Sequence, residues 1–476
     1  TAHTNNNIDM KRNYRNIAAG LLLSATLMPA SAQEFRSSYF MQTNNFRHQM
    51  NPALLDSSYV SVLFGNINVG LTGNIGLKNF VYKLSPADQI KYGGYEYTTF
   101  MSPTVSAQTF LDGLHDKNRI DTYLNYNLFS VGFKAFGGTN LVELNLRSNT
   151  NVSLPYELFE FMKTTGEKEN YNLKNIGLRT QNYAEIALGH SRSIDNRLTV
   201  GGKMKFLLGF GYADFAVKNL NLTMNGDQWR VQGDARLTAA LLNTKLEHET
   251  ADKNAPDGRP RVKGLDDIAF GMPGFGVAFD LGATYKLTDD LTLSAAVTDL
   301  GFISWKGAQK ASSMGDYTFD GFDNIYVGSN NTGDNKLGDQ FEKIGDDLEE
   351  MFAIYDDGES NATQAMAATV NVGAEYTLPA YRNLRFGFLY TSRIHSLYSW
   401  HQGMLSATVR PLKWIEATVN GGVSSTGCTF GAALSLKAKH FNFYIGADRF
   451  LGKVSKEFIP LNSTNANVTL GMTFPL

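Results

Sequence analysis

Cysteine is almost absent. Cys428 is the single one in 476 residues, which excludes an internal disulfide framework and a cysteine zinc centre. An excess of charge of one sign is lacking too: 43 Lys plus Arg stand against 45 Asp plus Glu, a formal net charge of -2. That balance argues against a nucleic-acid binder and against a protein held on membranes by charge alone. Past one N-terminal stretch there is no run of about 18 apolar residues, and the mean hydropathy is -0.23, so a helical membrane protein is excluded. Catalytic signatures are missing as well. There is no Gly-x-Ser-x-Gly elbow, no His-Glu-x-x-His and no P-loop, since "GGKMKFLLG" lacks the Walker spacing. His190, His395, His401 and His440 fall at predicted strand ends or loops, where interfacial residues are expected, so the chain reads as no enzyme and as carrying no cofactor.

What is present begins with an export signal. Met10 opens "MKRNYRNIAAGLLLSATLMPASAQ", with basic Lys11, Arg12 and Arg15, an apolar run from Ile17 to Met28, and small residues at Ala30 and Ala32. The order predicts a secretory signal peptide cut after Ala32, with residues 1–9 as translated upstream sequence. Gln33 follows the site, not the Cys that a lipoprotein needs. Proline is scarce with 12, glycine abundant with 45, and aromatics make up 12% of the residues. An exported chain of this composition suits an outer-membrane barrel, whose strands hide their apolar half from a hydropathy window.

The period-2 pattern recurs along the chain. In "RLTVGGKMKFLLGF" Leu198, Val200, Met204, Phe206, Leu208 and Phe210 share one face, and Lys203 and Lys205 the other. "GFGVAFDLGATYK" and "TVNVGAEYTL" alternate in the same way over roughly ten residues, the length with which a tilted strand crosses a bilayer. Glycines on such strands mark positions where side chains would crowd the lumen. Tight polar turns are predicted at Gly137–Asn140, Ser193–Asn196, Lys286–Asp290, Leu378–Asn383, Arg410–Lys413 and Lys437–His440. Longer links lie between them, roughly Thr72–Ile120, Asn151–Thr180, Gly211–Met272 and Lys306–Ala367, with shorter ones near His395 and Ser425. Short and long links alternate as periplasmic turns and extracellular loops do, and about fourteen strands follow from Tyr59 to Leu476. The last, "NANVTLGMTFPL", puts Val468, Leu470, Met472, Phe474 and Leu476 on one parity, as expected of a closing strand whose outward residues face lipid.

Two strands break parity. The apolar face of Leu291, Leu293, Ala295 and Val297 would put Asp299 in lipid, which predicts a bulge near Asp299 and Gly301 that turns Leu300 and Phe302 outward. The first strand shifts similarly around Gly65, from Val60, Val62 and Phe64 to Ile67, Val69 and Leu71. Glu143, Arg147, Lys203, Lys205, Asp280, Glu375, Arg385, Glu416 and Asp448 share the inward parity and read as the polar filling of the lumen, with Glu375 and Arg385 directly opposed across their hairpin if its register sums their positions. Cys428 shares parity with Phe430 and reads as a thiol on the apolar face. In the loops, "DQFEKIGDDLEEMFAIY" places Phe341, Ile344, Leu348, Met351 and Tyr355 at helical spacing, and "SAQTFLDGLH" is a second short helix. Residues 217–224 and 227–243 predict a hairpin rising above the membrane. Asp334, Asp339, Asp356, Asp357 and Glu359 lack EF-hand spacing and read as a solvated loop.

The segment "QMNPALLD", with Asn51, Pro52, Ala53 and Leu55, resembles the Asn-Pro-Ala-x-Leu element near the start of the long-chain fatty-acid transporter family and of its relative, the shuttle barrel of type IX secretion. "LTVGGKMKFLLG" and "DLGATYKLTDDLTLSAAVTDLGFISW" resemble an uncharacterised family of outer-membrane barrels that carries a domain of unknown function. The resemblance implies fourteen strands and an N-terminal segment inside the barrel. The extended Gly- and Ala-rich stretch that commonly precedes the element in the fatty-acid transporters is replaced here by "FRSSYFMQTNNFRHQ".

The reading is all-β: a transmembrane antiparallel β-barrel of about fourteen strands in the cell outer membrane, with extracellular loops that carry short helices. Its divisions are residues 1–32 (upstream residues and signal peptide), 33–57 (plug) and 58–476 (barrel). Expected partners are outer-membrane lipids and the barrel assembly machinery, with no nucleic acid. Two functional classes are open. One is passive transport of small hydrophobic or amphipathic molecules, favoured by an apolar pocket of Phe and Met beneath the loops. The other is a non-transporting scaffold for envelope or secretion proteins, favoured by a sealed polar lumen.

Overall fold

The computed structural model describes residues 35–165, 167–225, 228–241, 245–265, 271–319, 337–395, 397–449 and 465–476. The signal peptide, Gln33 and Asp334 lie outside them.

Alternating segments with one apolar face have only one way to satisfy both their backbone groups and that face in a membrane, which is to pair edge to edge until the sheet closes. The chain does this with fourteen antiparallel strands. The first, β1, is in two pieces, Tyr59–Val62 and Ile67–Gly73; β2 is Lys117–Ala135, β3 Gly138–Pro155, β4 Asn170–Ser193 and β5 Leu198–Asn225. After a hairpin partner, Gln228–Leu241, come β6, Gly274–Lys286, and β7, Leu291–Ser312; β8 is Ala368–Thr377, preceded by its outer extension Tyr355–Ala365. Then follow β9, Leu384–Ile394, β10, Trp400–Leu412, β11, Ile415–Ser424, β12, Gly427–Lys437, β13, Asn442–Ala447, and β14, Asn465–Pro475. β14 pairs with both pieces of β1, Val60 opposite Phe474 and Ile67 opposite Leu470, and this pairing closes the ring.

Four of the six tight turns fall where expected or within a residue or two; the first lies slightly earlier, since Ala135 already pairs with Gly138, and the fifth slightly later, since Leu412 still pairs with Ile415. The long links contain more strand than the sequence predicts. β5 runs 28 residues, about 90 Å at roughly 3.3 Å per residue, far more than a bilayer needs. Its outer half pairs with Gln228–Leu241, so the hairpin expected over residues 217–243 is present.

Both parity breaks are bulges. In the β6–β7 ladder Phe279 faces Leu300 but Leu281 faces Val297, and the extra residues include Asp299, in the left-handed region at φ 60°. An Asp tolerates that conformation better than most side chains. Its N–H, freed from the ladder, donates to Asp280 Oδ1 at 2.8 Å, and Leu300 and Phe302 turn outward. The β1 bulge carries Leu63 at φ 61°, and the wall stays joined across it: Leu63 N–H donates to Leu128 O and Met472 N–H to Phe64 O.

Outward residues such as Phe279, Phe388, Leu405, Val419, Phe430 and Val468 are exposed and form an apolar belt, with Cys428 exposed as well. At the end opposite the tight turns, the loops build their own core. Phe100, Phe110, Phe159, Phe161 and Trp229 pack with Met101, Met162, Ile344, Leu348 and Met351. Three helices supply part of it, Ala107–Leu111, Leu337–Met351 and Tyr156–Lys163; the first two were expected and the third was not foreseen. The helix expected to reach Tyr355 stops at Met351. Tyr355 begins a strand and belongs to a separate cluster with Ala255 and Ala353, because backbone pairing with β7 outweighs a matching helical spacing.

Candidate functional site: the lumen and its N-terminal segment

Residues 35–56 are held against the inner faces of the strands by three single-turn helices, Arg36–Ser38, Asn45–Gln49 and Pro52–Leu54. The last is built by the Asn-Pro-Ala element itself: Asn51 Oδ1 accepts from Ala53 N at 3.0 Å, and Pro52 sits at the first position, where no N–H is needed. Asn51 Nδ2 also reaches Ala283 O of β6 at 3.3 Å, and Leu55 is buried with Phe46 and Tyr59. The barrel wall is cut away to receive this element. A Cβ on Gly201 would run into the Pro52–Ala53 peptide, and one on Gly282 into Asn51. Glycine is required there by the close approach of a second backbone.

The segment lacks secondary structure long enough to satisfy its own backbone, so wall carboxylates and amides do it. Asp448 accepts from the N–H groups of Arg36 and Ser37 at 3.0 and 2.6 Å and from the Ser37 hydroxyl. Glu416 accepts from Thr43 N and Oγ1 at 2.9 and 2.6 Å while also binding Arg385. Asn371 donates to Met50 O, and Asn442 to Thr43 O. His48, fully buried, shares a hydrogen bond with Tyr59 OH at 2.8 Å, and that hydroxyl continues to Ser130. Burial, reinforced by the Lys203 charge, pushes the imidazole down to about 3, so it is neutral in place.

Beside the segment lies a buried ionic layer. Lys203 meets Glu143 at 2.8 Å; Lys205 meets Asp299 at 2.6 Å, Asp280 at 2.8 Å and Glu185 at 3.8 Å; Arg147 meets Glu185 at 3.5 Å. Asn145 extends it, donating to Glu185 at 3.0 Å and accepting from Asn127 at 2.7 Å. Lys205 is 1% exposed at its side chain, so its charge exists only because three carboxylates surround it.

Of the predicted lumen residues, the structure gathers Glu143, Arg147, Lys203, Lys205 and Asp280 into this layer, and places Arg385, Glu416 and Asp448 on the segment. Glu375 is half-buried beside them. It does not oppose Arg385: the register sets Glu375 against Gly387 and Thr377 against Arg385, two residues away from the expected pairing, because the turn spends its residues differently. Sequence reasoning missed Glu185, whose alternation in "NYAEIALGH" carries the inward signal; Asp299, turned inward by the expected bulge, was not counted among the lumen charges. The loop acids are engaged in pairs, Asp356 with His248 at 2.8 Å and Asp357 with Arg259 at 2.6 Å. On β14, Val468 and Phe474 are exposed outward, Leu476 follows the strand, and Leu470 and Met472 are half-buried on the same face.

The inner wall that receives the Asn-Pro-Ala element, including Gly201 and Gly282, lies within a stretch whose pattern recurs elsewhere. The chain belongs to the family of unknown function DUF5723. The family model matches residues 52–448, from the proline of that element to the aspartate that holds Arg36 and Ser37. Every lumen charge named above therefore lies within the DUF5723 span, whereas the segment before Pro52 lies outside it. No curated protein matches the sequence. Among solved structures, the Ralstonia pickettii toluene transporter TbuX is similar over 90% of this chain and 92% of its own, with 9% identity and a TM-score of 0.41. The P. putida toluene transporter TodX is similar over 90% and 92%, at 10% identity and 0.38. A Pseudomonas aeruginosa FadL homologue is similar over 89% and 91%, at 10% identity and 0.35.

Proposed function

We propose that this protein is an outer-membrane barrel that passes small hydrophobic or amphipathic molecules inward by displacement of a lumenal plug. The observation that carries the reading is the Phe- and Met-rich core that the long loops build at the end opposite the tight turns, together with a lumen occupied by the N-terminal segment. Aromatic and thioether side chains tolerate varied apolar guests without directional bonds. In this reading the chain is exported by its basic and apolar N-terminal stretch, cut after Ala32, and inserted by the assembly machinery through its closing strand, Val468 to Leu476. Residues 33–57 act as the plug. The apolar belt meets outer-membrane lipid, and the tight turns face the periplasm.

The test is uptake of toluene and of a long-chain fatty acid by cells with and without the protein. Faster uptake that depends on the protein supports transport; equal uptake of both refutes it. The second reading, a scaffold barrel, is favoured by the ion-paired filling of the lumen. It predicts equal uptake together with photo-crosslinks from the exposed loop residue Ile90 to one discrete envelope protein.

A further inference from the structure

The six tight turns share a composition that closing the hairpins does not require. Over residues 134–139, 192–197, 286–290, 378–383, 410–414 and 437–441 nine Lys and Arg stand against three Asp, in a chain whose formal net charge is -2. The loop end has the opposite sign, with nine Asp and Glu against Lys343 over residues 337–360. Among the described residues Arg382 is the one turn cation in an ion pair, with Asp290 at 2.9 Å. Each turn also carries a large apolar side chain at the surface: Phe136, Ile194, Leu287, Tyr381, Trp414 and Phe441 are all at least 42% exposed. Backbone bonds join neighbouring turns into a rim. Lys286 N–H donates to Arg197 O at 2.9 Å, Arg410 N–H to Asn383 O at 2.9 Å and Lys437 N–H to Trp414 O at 2.8 Å.

A cation and an apolar side chain on the same short turn fit the head-group layer of a bilayer, where the first stays at the phosphates and the second enters the acyl boundary. A globular partner would need its contacts gathered on one side of the barrel. Here they are spread over six turns, from the one that joins β2 to β3 to the one that joins β12 to β13, and a lipid leaflet surrounds them all at once. We propose that the turn rim binds anionic phospholipid, its cations pairing with the head groups while the apolar side chains anchor it beneath them. An anionic head group is preferred to a zwitterionic one because the rim supplies too few carboxylates to neutralise itself. The inference stands apart from the transport reading, since the rim can select its lipid whether or not anything crosses the lumen.

The test places the full mature chain in nanodiscs of phosphatidylglycerol and phosphatidylcholine in equal amounts, with one lipid or the other brominated in its acyl chains. Trp414, whose carbonyl meets the Lys437 N–H, is the reporter, and its quenching is read as the difference from Trp414→Phe. At low ionic strength brominated phosphatidylglycerol should quench it about threefold more than brominated phosphatidylcholine, and the ratio should approach one as salt is raised to about 1 M. Lys413→Gln combined with Lys437→Gln should remove the preference while heat-modifiable mobility shows an intact barrel, and Lys310→Gln at the loop end should retain it. Should the double variant fail to fold, the salt dependence of the unaltered protein decides. Equal quenching by the two lipids, or a preference that neither salt nor the folded double variant alters, overturns the proposal and leaves the rim to an acidic protein.

Discussion

At the scale of single residues, the lumen is governed by the cost of charges removed from water. Lys205 is worth little net stability as a member of an ion-paired set, but removing it leaves Asp280, Asp299 and Glu185 facing one another in a closed space. Lys205→Met should therefore destabilise the barrel by about 3–5 kcal/mol, read as a lower midpoint of heat-modifiable mobility. His48 behaves in the opposite sense. Its folded value is near 3 against 6.5 when released, so the docked segment binds fewer protons than the free one between these limits. Docking is thus fully stable above pH 6.5 and weakens as pH falls toward 3, by up to about 1.4 kcal/mol per pH unit. Limited proteolysis of the N-terminal segment should increase from pH 7 to pH 5, and His48→Gln should flatten that dependence.

At the scale of elements, the N-terminal segment and the bulges depend on shape more than on charge. Gly201 and Gly282 leave the slots that the Asn51–Ala53 turn fills, so Gly201→Val should expel the turn while leaving an outward face unaltered. Planar-bilayer recordings are expected to show ion-conducting openings in Gly201→Val and in a chain lacking residues 33–49, with the unaltered protein nearly silent. Steady conductance from the unaltered protein would make it an open porin. On β14, Leu470 is flanked by Ile67 and Ile445 across both ladders. Leu470→Asp should cost on the order of 2 kcal/mol and reduce the folded, heat-modifiable fraction in outer-membrane extracts.

At the scale of the whole molecule, closure sets the orientation: short turns at one end, a loop domain with its own core at the other. In a Cys428→Ala background, a membrane-impermeant maleimide added to intact cells should label Glu359→Cys and spare Ser193→Cys. The reverse pattern would invert the barrel.

Period 2, the parity of the charges and the spacing of the tight turns were enough by themselves to determine an all-β barrel of fourteen strands, the outward set from Val468 to Phe474 and the inward Lys203, Lys205 and Asp280. Those are local properties: a pleated strand puts alternate side chains on opposite faces whatever its partner. The bulge near Asp299 was also legible, since a charge on an apolar face leaves few alternatives. What only the tertiary structure decided was who meets whom. The offset between Glu375 and Arg385 depends on how many residues a turn consumes. The end of the Leu337–Met351 helix before Tyr355 depends on a strand brought from far along the chain. The slots at Gly201 and Gly282 receive a turn at Asn51–Ala53 that lies more than a hundred residues earlier in the chain. No local pattern encodes such meetings, because they exist only once the sheet has closed and the space inside it must be filled.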